Sequence, residues 1–149
     1  MTVDEALAQL QDAGDSARAA EMAHYHKAAR PYLGVPVPVI TQLATSWRQN
    51  LTVEGRTTLA DALWQTNIHE ARIAAAKLLT QARIADDEGV WQLIASWVPG
   101  FDAWAIADHA CDAGERRLLA APSRIDEVES WTRHDSFWVR RAALVIGAC

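Results

Sequence analysis

Trp104 and Asp108 have residue types and a spacing that could bind a positive charge. They are four residues apart, so on a helix they lie one above the other on the same face, and Asp112 continues that stripe. The face of an indole ring attracts a cation by about 0.5–2 kcal/mol, and a carboxylate adds Coulomb attraction or positions a water molecule. The pattern indicates a cation site. The alternative is a core tryptophan beside a solvated aspartate.

A second candidate is the segment Trp138-Val139-Arg140-Arg141, which places two guanidinium groups at the start of an otherwise apolar helix. Arginine can bind phosphate through two parallel hydrogen bonds, so this segment could contact a nucleic-acid backbone. The alternative is an exposed face that forms ion pairs with Asp135 or Glu129.

Histidines and known motifs give little further chemistry. His109 follows Asp108, but on a helix it points about 100° away, which favours a surface or junction histidine. His24 and His26 lie on different helix faces, so joint metal binding is not expected. The sequence contains no GxGxxG, P-loop, GxSxG or HExxH motif. We therefore predict no metal and no cofactor.

The elements that must position these residues are predicted to be helices. Hydrophobic residues make up 50% of the 149 residues, with seven Trp but only seven Gly and five Pro, and no strand-like alternation occurs. Apolar residues at helical spacing predict helices over residues 3–10, 17–29, 39–49, 56–65, 68–82, 86–97, 101–112, 114–120, 125–134 and 137–148.

Several residues at predicted helix starts are good N-terminal caps. Asn67 with Glu70 resembles a capping box, Ser123 with Asp126 is a weaker example, and the pair Asp135-Ser136 precedes the last helix. These signals place the boundaries of the later helices.

The predicted helices repeat in pairs. The second helices begin near Asn67, Phe101 and Asp135, 34 residues apart, and the first helices repeat at 34 and 36 residues. A period of this size is typical of an α-solenoid, in which each pair buries its apolar face against its neighbours. At this spacing Trp104 and Trp138 occupy the same register in successive pairs.

Charge and cysteine content limit the function classes. A net charge of −5 argues against general binding of polyanions, so any nucleic-acid site must be local. Cys111 and Cys149 form no CxxC pair, which argues against a disulfide framework or zinc knuckle. The N-terminus has neither a basic start nor a long apolar run. We expect a cytoplasmic protein that is not in a membrane.

Four groups of residues, in this order and spacing, are similar to one known family. They are Met22-Ala23-His24-Tyr25-His26-Lys27 with Tyr32-Leu33-Gly34-Val35; Leu63-Trp64 with His69-Glu70-Ala71-Arg72; Phe101-Asp102-Ala103-Trp104-Ala105-Ile106-Ala107-Asp108; and Trp131-Thr132-Arg133-His134-Asp135-Ser136-Phe137-Trp138-Val139-Arg140-Arg141-Ala142-Ala143. The family is that of the AlkD-type DNA alkylation repair glycosylases, and the resemblance covers most of the chain from about residue 20.

The resemblance implies a fold, an activity and a set of site residues. The fold would be an all-α α-solenoid of antiparallel helix pairs, with HEAT-like repeats in an ARM-like superhelix. The activity would be base excision of positively charged purines, such as 3-methyladenine and 7-methylguanine, from double-stranded DNA by hydrolysis of the N-glycosidic bond.

Asp108 matches the catalytic aspartate, Trp104 the tryptophan at the lesion, Arg141 the arginine at the DNA backbone, and Tyr25 a tyrosine that faces DNA. Arg140, Lys27 and Trp138 are further candidates for DNA binding.

The chain end adds a prediction about domain organisation. The sequence stops at Cys149 inside an apolar helix without a polar cap, and the resembling family has a further lesion-facing tryptophan on a later helix. We expect residues 1–149 to form a single HEAT-like domain that lacks C-terminal repeats, with self-association through the last helix as another way to cover it. The rival to the glycosylase is a non-catalytic HEAT-like module that binds protein or DNA structure.

Overall fold

The fold is entirely helical over the residues that the computed structural model describes, Met1–Ala148. No β-strand occurs within this range, which confirms the all-α prediction. The residues form two compact units, Met1–Leu79 and the residues from Thr80 onwards. The single repeat domain stays a prediction. None of the helices in residues 1–148 combines the length and apolar character needed to cross a lipid bilayer.

The first unit contains five helices over its described residues. They are α1 (Val3–Asp12), α2 (Ser16–His26), α3 (Val37–Arg48), α4 (Val53–Gln65) and α5 (His69–Leu78). Side chains of Thr2, Asp15 and Thr52 accept hydrogen bonds from the first backbone N–H groups of α1, α2 and α4. Helix α5 packs against both α3 and α4, and nearly all of its residues are buried. The core of this unit therefore lies around α5.

The capping box predicted at Asn67 and Glu70 is wrong. Asn67 has a left-handed backbone (φ +58°), the cap position belongs to Ile68, and Glu70 is fully buried. The Glu70 carboxylate instead accepts hydrogen bonds from the backbone N–H groups of Leu33, Gly34 and Val35, at 2.9, 2.8 and 3.2 Å. These donors lie in the connection between α2 and α3 and have no helical partner. A tertiary contact thus replaced the local cap.

The second unit contains α6 (Glu88–Trp97), α7 (Trp104–Ala120), α8 (Ile125–Ser130) and α9 (Phe137–Gly147), with short 3₁₀ turns between them. The predicted break near Gly114 is wrong, because α7 is continuous there. A Cβ atom on Gly114 would lie 3.0 Å from Ile146 Cδ1. Glycine therefore allows α9 to approach α7 closely, rather than ending the helix.

Several other predicted boundaries also differ from the structure. Helix α5 ends at Leu78, short of residue 82, and the predicted helix 125–134 is α8 followed by a 3₁₀ turn. Ser136 takes the N-cap position of α9 but makes no side-chain capping bond; its N–H donates to His134 Nδ1. Short local hydrogen bonds close these helix ends, from Leu79 N–H to the Ala76 oxygen and from His134 N–H to the Trp131 oxygen.

Helices of successive pairs contact each other within the second unit. The indole of Trp91 on α6 stacks on Trp131 beyond α8, with ring centres 5.9 Å apart, and Trp104 on α7 contacts Trp138 on α9. The beginning of α7 lies beside the beginning of α9, and Gly114 lies beside Ile146 further along, so the two helices run side by side in the same direction. This is the stacking of helix pairs that the repeat period predicts.

A buried ion-pair network holds the residues before α6 onto α7. Arg117 is fully buried; it donates to Asp87 Oδ2 at 2.7 Å and to the backbone oxygens of Gln81 and Ala82. Arg124 pairs with the other oxygen of Asp87, also at 2.7 Å. Hydrogen bonds from Arg124, opposed by burial, lower the pKa of the Asp87 carboxyl group. The network fixes where α7 lies relative to α6.

The last helix is partly covered within its own unit. Ile146 is fully buried, whereas the Leu144 side chain is 69% exposed. Cys149 lies outside the described residues. Self-association and the lack of C-terminal repeats stay predictions.

Candidate functional site

The candidate site lies where α7 and α9 begin. Trp104 is the first residue of α7, and Phe137 and Trp138 are the first two residues of α9. Because these helices run in parallel one repeat apart, their first turns bring the three aromatic rings together. One turn further along, Asp108 on α7 faces Arg141 on α9.

The three aromatic rings pack edge to face. The ring-centre distances are 4.7 Å between Trp104 and Trp138, 6.0 Å between Trp104 and Phe137, and 5.4 Å between Phe137 and Trp138. Trp104 is 56% exposed and Phe137 is 52% exposed. Large apolar rings that are clustered and exposed mark a binding surface more often than a structural one. The interpretation of Trp104 as a core tryptophan is therefore wrong.

Arg141 bridges the carboxylate and the rings. Its Nη2 donates to Asp108 Oδ1 at 2.6 Å, and its Cζ lies 4.5 Å from the centre of the Trp104 ring and 5.9 Å from that of Trp138. The Asp108 side chain is 55% exposed and that of Arg141 is 20% exposed. The guanidinium of Arg141, a planar and delocalised cation, thus lies between an indole face and a carboxylate. The binding of an external cation at Trp104 and Asp108 stays a prediction.

A cysteine lies in the second turn of α7. Burial raises the pKa of the Cys111 thiol to about 12; the positive charge of Arg141 opposes this rise, and Asp108 adds to it. The thiol is therefore protonated at neutral pH, and it is not a nucleophile for this site. The Asp108 carboxylate, by contrast, is exposed to solvent.

The other predicted site residues lie elsewhere. Arg140 is exposed and donates to the backbone oxygens of His134 and Asp135, so it does not form the ion pair considered with the Asp135 carboxylate. In the first unit, Tyr25 is 80% exposed in the last turn of α2, and Lys27 follows as the exposed C-cap residue in a left-handed conformation (φ +62°).

Rings beside Tyr25 form a second aromatic group. His26 lies 4.5 Å from His69 and 6.1 Å from Tyr32 between ring centres, and Tyr25 meets His26 edge to face at 5.0 Å. Burial lowers the pKa of His26, and the negative charge of Glu70 opposes this shift. His24 does not belong to this group of contacts, in line with its different helix face.

Sequence reasoning missed two contributors. Phe137 was treated only as part of a motif, although its position next to Trp138 and one repeat after the Trp104 region could have identified it. The sequence pattern predicts a cap at Glu70, and no local signal indicates that its carboxylate binds residues 33–35. Among residues 1–148, no group of three or more His, Cys, Asp or Glu side chains is arranged to hold a metal ion.

The chain as a whole matches one protein family. The model of a family described as DNA alkylation repair enzyme matches residues 6–148. No curated protein and no solved structure matches the chain significantly.

Proposed function

The chain belongs to the DNA alkylation repair enzyme family, and from this premise we propose that it is an N-glycosylase. It excises positively charged alkylated purines, such as 3-methyladenine and 7-methylguanine, from double-stranded DNA. The reaction is hydrolysis of the N-glycosidic bond.

One observation carries this proposal: an exposed carboxylate and an exposed indole already hold a planar cation. Asp108 and Trp104 bind the guanidinium of Arg141 at 2.6 and 4.5 Å. An alkylated purine is likewise a planar ring with a delocalised positive charge. The same carboxylate and ring face can stabilise it, or the sugar that becomes positive when it leaves.

The chemistry needs little more than this charge stabilisation. When the bond between C1′ and the base nitrogen breaks, its electrons stay on the base and neutralise its positive charge. The sugar then resembles an oxocarbenium ion, which the Asp108 carboxylate stabilises. Water adds to C1′ and loses a proton, leaving an abasic site. Because the base departs as a neutral molecule, the reaction requires no strong general acid.

We further propose that basic and aromatic residues in each unit contact DNA. Arg141 and Arg140 bind backbone phosphates, and Trp138 supports the ring of Trp104 from α9. In the first unit, the exposed Tyr25 and Lys27 provide a further aromatic and cationic contact. With a net charge of −5, binding depends on such local positive charge.

Asp108→Asn tests the proposed reaction. The amide is nearly the same size as the carboxylate, so chiefly the charge is lost. We expect release of 7-methylguanine from duplex DNA to fall by at least about 10-fold in single-turnover assays, equivalent to about 1.4 kcal/mol of transition-state stabilisation. Binding to undamaged duplex should not weaken.

Asp126→Asn is the matched control, because it makes the same substitution at an exposed carboxylate on α8. It should release base at the parental rate. Equal rates for Asp108→Asn and the parent would remove Asp108 from catalysis. Duplex binding without release of any alkylated base by the parent would favour the non-catalytic module instead.

A further inference from the structure

Arg141 occupies the position where a cationic ligand would bind. Its Nη2 lies 2.6 Å from Asp108 Oδ1, and its Cζ lies 4.5 Å from the centre of the Trp104 ring. These are the two groups that the proposed function assigns to the cationic base and to the sugar. Arg141 and an alkylated base therefore compete for the same carboxylate and the same indole face.

The guanidinium is only partly satisfied in this position. Its partner Asp108 is 55% exposed, and ion pairs at exposed carboxylates are weak. Nη1 of Arg141 is buried and has no hydrogen-bond partner among the described residues. A buried donor without an acceptor destabilises the conformation that buries it. Another acceptor can therefore draw Arg141 away.

A DNA phosphate supplies the missing acceptors. The planar fork of arginine binds two phosphate oxygens at once, so both Nη1 and Nη2 would gain a charged partner. Movement of Arg141 onto a phosphate would also clear the Trp104 ring and leave the Asp108 carboxylate unpaired. One displacement thus couples backbone binding to opening of the cation site.

We propose that Arg141 is a specificity-determining gate, which fills the cation site in the free protein and leaves it when a DNA phosphate binds the guanidinium. This inference rests on the proposed function and gives Arg141 a role beyond the phosphate contact. A free alkylated nucleoside brings no backbone phosphate, so it meets a filled site. Its apparent affinity is therefore the affinity for the open site multiplied by the fraction of molecules in which the site is open.

Binding of 7-methylguanosine in mildly acidic buffer tests the filled state, because this nucleoside is cationic and carries no phosphate. Its affinity is measured by tryptophan fluorescence for the parent, Arg141→Gln and Arg83→Gln. Arg141→Gln should bind at least about 10-fold more tightly than the parent, since the competing cation is gone. Arg83→Gln removes the same charge at an exposed position of the same unit without opening the site, so its affinity should match the parent. Equal affinities for the parent and Arg141→Gln would overturn the gate.

A double-mutant cycle on undamaged duplex DNA tests the coupling. Asp108→Asn should tighten binding by at least about 3-fold when Arg141 is present, because the guanidinium no longer has to leave a carboxylate. In the Arg141→Gln background, the same substitution removes only the repulsion between carboxylate and phosphate, and its effect should be smaller. Additive effects would contradict the gate.

A direct measurement covers the case in which Arg141→Gln does not fold. In the parent chain, the guanidinium NMR signal of Arg141 should shift on titration with undamaged duplex. A signal that is identical with and without duplex overturns the gate.

The gate and the proposed function can fail separately. Base release without coupling between Asp108 and Arg141 would leave the glycosylase and remove the gate. Coupling without release of 7-methylguanine would retain the gate as a feature of DNA binding and remove the glycosylase reaction.

Discussion

Replacing Glu70 should detach the connection between α2 and α3 from helix α5, which carries Glu70. The carboxylate is fully buried and accepts hydrogen bonds from the N–H groups of Leu33, Gly34 and Val35. In Glu70→Ala all three donors lose their acceptor. Gly34 and Val35 are buried, so water does not readily replace it, whereas Leu33 is half-buried. Each of the two buried donors costs about 1–3 kcal/mol when it is left unsatisfied, so the free energy of unfolding should fall by about 2–6 kcal/mol.

Glu70→Gln should have a smaller effect. The amide oxygen can still accept from Gly34 and Val35, as one carboxylate oxygen does now, while the amide nitrogen would face the N–H of Leu33. One hydrogen bond to a charged acceptor is then lost, which costs about 1.5–3 kcal/mol. The order of stability should therefore be parent, Glu70→Gln and Glu70→Ala.

Urea unfolding followed by circular dichroism gives the free energy of unfolding, and hydrogen exchange reports the amides of residues 33–35. Exchange at these amides should accelerate in both variants, and most in Glu70→Ala. Glu21→Gln, at an exposed position on α2, is the matched control and should change neither measurement. An unchanged unfolding midpoint in Glu70→Ala, together with parental exchange at residues 33–35, would refute the role assigned to this carboxylate.

Two further predictions concern charge and pH. Asp87→Ala should destabilise the chain by about 3–5 kcal/mol in urea unfolding, because it leaves the fully buried Arg117 without its carboxylate partner. Because the pKa of Asp87 is lowered in the folded state, its ionised carboxylate adds to the free energy of unfolding above about pH 3.8, the usual pKa. This stabilisation is lost as the pH falls below 3.8 and through the lower pKa of the folded state. The loss should be absent in Asp87→Ala. Because the pKa of His26 is lowered in the folded state, folding favours the neutral imidazole. The contribution of His26 to the free energy of unfolding should therefore be fully present above about pH 6.5, the usual pKa. It should decrease as the pH falls from there towards the lower pKa of the folded state. His26→Gln should flatten this decrease in thermal melts between about pH 7 and pH 5, and an unchanged slope would contradict it.

Local sequence patterns were sufficient for the helical architecture and for part of the site. Helical spacing of apolar residues and a period of about 34 residues depend only on short-range geometry, which fixes the face that each helix buries. The same geometry placed Trp104 above Asp108 and set Trp104 in register with Trp138. Because stacked pairs repeat this register in space, a sequence period became the 4.7 Å contact between two indole rings.

Contacts across long sequence separations were decided only by the tertiary structure. Glu70 had an acceptable local role as a cap, but three unpaired N–H groups of a distant connection competed for its carboxylate. The sequence pattern predicted one helix ending at Asp112 and another beginning at Gly114, yet the close approach of Ile146 favours a glycine inside one continuous helix. At Glu70, the free energy gained by satisfying buried N–H groups outweighed the local preference for a helix cap. At Gly114, packing against the neighbouring helix outweighed the low helix propensity of glycine.

The state of the cation site depended on tertiary structure for the same reason. The sequence predicts a phosphate contact for Arg141 and a cation contact for Asp108, but it gives no sign that the two side chains pair with each other at 2.6 Å. Long, flexible side chains such as arginine have many rotamers of similar energy. Which one is occupied depends on the charges and rings that another helix brings within reach.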